Sequence, residues 1–165
     1  MAKKNLDDKK ILLVVIGKNI SESKLRTELF TKFNCLYPQD FSISAVTISA
    51  EKNLAAELNK VQKKSDAKYK FYLNANVNFV EKNFILNVLN NFFVSPKIGM
   101  VGLVGSELPL TGDYNQAQNF FGDYYFLNDK GERKKYFGKS PLLNKSVHIL
   151  ESSFFATCED IEWDE

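Results

Sequence analysis

Cysteine, histidine and proline are scarce in this chain, with 2 Cys, 1 His and 4 Pro in 165 residues. Cys35 and Cys158 stand far apart and fit no metal-ligand spacing. With a single histidine, they argue against a zinc site and read as reduced thiols of a cytoplasmic protein. An excess of one charge is lacking too. The 22 basic and 20 acidic residues leave +2, which gives no pull towards nucleic acid or an anionic membrane surface. No apolar run approaches the roughly 18 residues of a membrane span. Lysines ahead of Ile11–Ile16 imitate a secretion signal, but Asp7 and Asp8 break the basic stretch and no small-residue cleavage site follows. Phosphate-binding fingerprints are missing as well: GMVGLVGS (99–106) matches neither the dinucleotide-binding nor the P-loop glycine pattern.

What is present is core-forming material. Hydrophobic residues make up 44% and phenylalanine alone contributes 14, enough for one well-filled domain at this length. Residues 1–9 read as a loose polar lead and residues 10–165 as one domain. Ile11–Ile16 is a continuous apolar run, as expected of a strand covered on both faces. A helix follows, capped by Ser21 or Ser23 and carrying Leu25, Leu29 and Phe33. Phe41–Ile48 alternates as a second strand. Ser49 is placed to cap a helix bearing Leu54, Ala55, Leu58 and Val61, and Tyr69–Leu73 forms a third strand. Glu81–Phe93 has the clearest helical period, and Ser95-Pro96 stops it. Ile98–Val104 reads as another strand. This alternation predicts an α/β fold with a mostly parallel sheet and right-handed crossovers.

The pattern changes after Gly105, so that residues 10–105 and 106–165 read as two halves. Phe120–Leu127 and Lys134–Phe137 flank an Asn-Asp-Lys-Gly turn, a hairpin signal, and Val147–Thr157 is the last strand-like run. The second half is expected to add antiparallel strands.

Open parallel sheets bind ligands beyond the carboxyl ends of their strands. That places the candidate site at Gly17–Ile20, Ser49–Asn53, Asn74–Asn78 and Gly105–Glu107. The third strand runs out into LNANVN, which has amides where a metal-binding strand end would carry a carboxylate. Gly17, Lys18 and Asn19 could meet a phosphate or a base, but on sequence alone an ordinary strand-to-helix turn is the favoured reading. ESSFFATCEDIEWDE (151–165) joins a buried strand to several acids, of the kind that serve as bases or ligands or simply solvate a chain end. His148 has no nucleophile at a known spacing and reads as a strand histidine.

Taken together, SDAKYKFYLNANVNFVEKNFI, IGMVGLVGS, ELP and FFATCEDIEWDE resemble, in order and spacing, a bacterial glycosyltransferase-like branch of the family 2 glycosyltransferases. The resemblance runs from Ile11 to Glu165. It implies a GT-A type fold, with a nucleotide-binding half and an acceptor-side half. It also implies transfer of a sugar from a nucleotide-diphosphate donor to an acceptor hydroxyl, usually with a divalent metal (Mn or Mg). Relatives carry a histidine-glutamine-aspartate string after the third strand, where this chain has Asn74, Ala75 and Asn76. The resemblance therefore puts nucleotide contacts at Gly17, Lys18, Asn59 and Asn74, and a weak metal position at Asn76. An aspartate-glycine pair of relatives is matched by Glu151 and Ser152, which makes Glu151 the candidate base. Asp160 and Trp163 fall on the acceptor side. Relatives continue beyond the Trp-x-Glu that ends this sequence, so the acceptor half is expected to be short or truncated.

Replacement of the metal-binding acid argues for weakened or lost transfer. Against an active transferase stands a non-catalytic module that binds a nucleotide, a glycan or a partner protein. A third reading gives the aromatics around Phe120–Phe126 and Tyr136–Phe137 a role in assembly with a partner protein or a second copy.

Overall fold

The structure, a computed structural model, describes residues 4–17, 36–49, 51, 53–77, 79, 81–107, 119–122, 124–127, 133–136 and 145–164; of 124–127 and 133–136 only the backbone is described. The helix expected over Ser21–Phe33 lies outside these residues, as do Lys18, Cys35 and Asn78. The chain divides into two units: Met1–Val101 with Ala156–Glu165, and Gly102–Phe155.

The sheet is built on β1 (Asp7–Ile16), whose residues Ile11 to Ile16 are all buried. An apolar run without alternation belongs at the centre of a sheet covered on both faces. It pairs in parallel with β2 (Ser42–Ile48) on one side and with β3 (Ala67–Asn74) on the other. With β4 (Met100–Gly102) and β10 (Phe154–Thr157), the order is β2-β1-β3-β10-β4. The parallel α/β expectation holds along β2-β1-β3. β1 begins at Asp7, inside the stretch expected as a polar lead, because the Asp7 N–H donates to Asp66 O at 2.7 Å.

Two helices are described, α1 (Leu54–Lys64) and α2 (Phe84–Val94). The cap of α1 is Asn53, whose Oδ1 accepts from Ala56 N at 3.2 Å. Ser49, the cap expected from sequence, instead accepts from Glu51 N at 3.2 Å and closes a turn one step earlier. α2 begins at Phe84 rather than Glu81. The Glu81 carbonyl accepts from Phe84 N, and its carboxylate from Asn87 Nδ2 at 2.8 Å. Ile85, Val88, Leu89 and Phe92 form the buried stripe of α2, and the Phe92 ring stacks on Tyr69 of β3 at 5.9 Å.

In the second unit, β5 (Gly105–Ser106) lies between β6 (Phe120–Phe121) and β9 (Ile149–Leu150), antiparallel to both. β7 (Tyr124–Leu127) and β8 (Arg133–Tyr136) pair as the expected antiparallel hairpin. Two strands expected to be continuous are divided. The IGMVGLVG run splits into β4 and β5, and the Val147–Thr157 run splits at a turn around Ser152 into β9 and β10.

Candidate functional site

The strand register brings one set of candidate residues together. Ile16 pairs with Ile48 and with Asn74, so β1, β2 and β3 end level with one another. Backbone bonds continue past the ends. Gly17 N donates to Ile48 O at 3.1 Å and Ala75 N to Ile16 O at 2.9 Å. Gly17, Ser49 and Asn74 thus share the carboxyl edge of the sheet, where an open parallel sheet presents its ligand crevice.

Beyond Asn74 the chain turns sharply. Asn74 O accepts from Val77 N at 2.9 Å, and the Asn74 side-chain Oδ1 accepts from Asn76 N at 3.0 Å. This is a turn in which an Asn side chain substitutes for a backbone carbonyl. Asn74 and Asn76 are both exposed. The turn engages one lone pair of the Asn74 amide oxygen and makes no use of its NH2 donors. Hard divalent cations need acceptor oxygens, preferably charged ones. Here the acceptors are neutral amides, one of them already engaged. Among the described residues no group of three or more His, Cys, Asp or Glu could hold a metal. The residues present at 74–76 do not fit a protein-held divalent cation.

A second set of candidates gathers elsewhere in the same unit. Asn59 on α1 donates Nδ2–H to Trp163 O at 2.8 Å and accepts from Trp163 N at 3.0 Å. One turn along, Gln62 donates to Ile161 O at 2.7 Å and accepts from Ile161 N at 2.9 Å. The Trp163 ring meets Tyr72 of β3 edge-on, with centroids 5.8 Å apart and planes at 73°. Asp160 Oδ1 lies 2.6 Å from Lys70 Nζ and Asp160 Oδ2 lies 3.6 Å from Lys4 Nζ. Lys70 is fully buried and also donates to Ala67 O at 2.6 Å. Burial pushes its pKa below the ordinary lysine value, while the hydrogen bond it donates to Asp160 works against the shift. Burial pushes the Tyr72 phenol well up.

The structure therefore groups Asn59, Asp160 and Trp163 with one another, and Gly17 with Asn74 and Asn76. Asp160 meets β3 at Lys70, which reaches back to its first residue. Asn74 lies at the other end, about 13 Å beyond Lys70 at the usual strand rise. Glu151 belongs to the second unit. Its N–H donates to Val104 O at 2.9 Å, and its Oε2 accepts from both the backbone N–H (2.8 Å) and the hydroxyl of Ser153. Sequence reasoning passed over Lys70 and Gln62, the residues that organise the second cluster. The signal for Lys70 was available: a lysine inside the apolar run YKFYL, whose neighbours on the strand are buried.

Residues 14–165 match the model of a glycosyltransferase like family. A comparison with curated proteins gives no match. No helix among the described residues is long and apolar enough to cross a membrane.

Proposed function

The chain belongs to the glycosyltransferase-like family, and from that premise we propose that it recognises a nucleotide-diphosphate sugar at the carboxyl ends of β1, β2 and β3. In this reading the fold is of the GT-A type. The diphosphate is held by amide donors without a carboxylate-bound Mn or Mg ion, and sugar transfer is weak or lost. One observation carries the reading: the Asn74–Val77 turn engages the Asn74 amide oxygen once and makes no use of its NH2 donors. Donors suit an anion directly, whereas a cation would need the oxygen. Gly17 borders the same edge and adds a backbone that a phosphate can approach closely. Lys18, next in sequence, would add charge. Glu151 has one carboxylate oxygen committed to Ser153, and the other is the candidate acceptor of a hydroxyl proton in any residual transfer.

Isothermal titration with UDP and a UDP-sugar, in Mn and in EDTA, tests the proposal. Equal affinity in both is expected. Binding that requires Mn would overturn the metal-free site. No binding to any nucleotide would leave a glycan- or protein-binding module. If sugar release is detected and Glu151→Gln abolishes it at unchanged UDP affinity, the chain is an active transferase with Glu151 as base.

A further inference from the structure

The segment that follows β10 is gripped through its backbone. Asn59 and Gln62 are three apart on α1 and so share a helix face. Ile161 and Trp163 are two apart and share one side of an extended chain. Each amide pairs with both the N–H and the C=O of its residue, as a neighbouring strand would. The order 161 on 62 and 163 on 59 means that the segment runs antiparallel to α1. Gln62 is only 3% exposed, and a carboxamide so buried is costly without partners. Lys70 is a second such group: a cation at 0% exposure, satisfied by Ala67 O and Asp160. The gripped segment is far less enclosed. Glu159, Asp160, Glu162 and Asp164 are exposed, and Ile161 and Trp163 half-buried. With this segment in place, the buried polar groups Gln62 and Lys70 lie beneath a stretch of chain whose own surface is largely solvent-exposed.

We propose that the groove between α1 and β3 is a recognition site for an extended peptide segment carrying an aspartate three residues ahead of a tryptophan, with residues 160–164 as its resident, displaceable ligand. Lys70 and Lys4 receive the aspartate. Gln62 and Asn59 read the backbone at the next position and two beyond it. Tyr72 meets the aromatic ring. The residue between the two backbone-read positions, Glu162, is exposed and is not selected.

The chain has a single Trp, which makes the test direct. In the Trp163→Ala variant of this chain the only tryptophan in solution is that of an added acetyl-Asp-Ile-Glu-Trp-Asp-amide peptide. Saturable binding with a blue-shifted peptide emission is expected. Replacing the peptide aspartate by asparagine should weaken it by about tenfold or more, since a buried cation is left without its charged partner. A dansylated form of the peptide should bind wild-type protein at least roughly tenfold more weakly than the variant, because the tethered segment occupies the groove most of the time. Absence of saturable binding to folded Trp163→Ala, or equal binding of the asparagine peptide, overturns the proposal. Trp163→Phe, which keeps an aromatic ring, replaces Trp163→Ala if the latter does not fold. Amide exchange in wild-type protein decides displaceability separately. Residues 161 and 163 should exchange faster than the core of β1, and exchange only by global unfolding overturns a displaceable ligand.

Discussion

Lys70 shows how much one side chain can determine. A fully buried ammonium is tolerated only with a charged partner, and Asp160 supplies it at 2.6 Å. Removing that partner with Asp160→Asn should cost about 2–3 kcal/mol in a urea-unfolding measurement. This is below the ~3–5 kcal/mol of a wholly buried pair, because Asp160 keeps a third of its side chain in solvent. The same residue sets a pH dependence. Burial lowers the folded-state pKa of Lys70, so the unfolded chain holds this proton to higher pH than the folded chain does. In the window between the lowered value and the ordinary lysine value the unfolded state binds more protons, and stability from this group rises with pH. Tyr69, Tyr72 and Cys158 act in the opposite sense. Desolvation raises their pKa values, so the folded chain keeps their protons longer and their contribution falls as pH passes their ordinary values. A comparison of wild type with Lys70→Met cancels those shared terms. As pH rises through the window between the lowered value and the ordinary lysine value, wild type should gain stability relative to the variant, and parallel profiles would show that Lys70 has the same pKa in the folded and the unfolded chain.

At the scale of elements, the apolar periods placed the strands and helices well, while side-chain hydrogen bonds set their ends. Ser49 has cap chemistry, but Asn53 is the residue that caps the helix. The helix starts where Asn53 Oδ1 can reach Ala56 N, so Asn53→Ala should cost about 1 kcal/mol in thermal or urea unfolding, and Ser49→Ala less. The divided strands have the same kind of origin. Val147–Thr157 reads as one apolar run, but the Glu151 carboxylate folds back onto Ser153 and breaks it. That carboxylate contact has no signature in hydropathy. The glycines of IGMVGLVG permit close packing, and the contacts show against what. A Cβ on Gly105 would stand 2.5 Å from Val147 Cγ2 and 2.8 Å from the Ile149 carbonyl. Gly122, at φ 90°, is more constrained, since its Cβ would fall 1.9 Å from the Leu103 carbonyl. Gly122→Ala should therefore destabilise by more than Gly105→Ala, and the latter by ~1–3 kcal/mol. A reversed ranking in urea unfolding would count against this packing of β5.

At the scale of the whole molecule, family membership and chemistry must be weighed together. The parallel core was legible because β1 and β3 are short apolar runs of strand length and β2 alternates, with helical periods between them. The division of the candidate residues was not legible, because the Asn59 side chain meets the Trp163 backbone and Asp160 meets Lys70 through long-range contacts that no spacing rule encodes. A fold brings residues to an edge, but the atoms they offer decide what binds there. At the Asn74–Val77 turn those atoms are amide donors. Asn76→Asp is the sharpest probe of that statement. The variant keeps the Asn76 backbone N–H that donates to Asn74 and changes only the exposed side chain, so folding should be unaffected. If a nucleotide diphosphate binds beside this turn without metal, the new carboxylate repels it in EDTA and recruits a cation in Mn. UDP affinity should then fall by roughly tenfold, about 1.4 kcal/mol, in EDTA, and recover on adding Mn, while wild type responds to neither. A variant that binds UDP as wild type does in both media would place the diphosphate away from the Asn74–Val77 turn. Weaker binding in EDTA without recovery in Mn would keep the anion there but show that one carboxylate cannot make the turn a metal site.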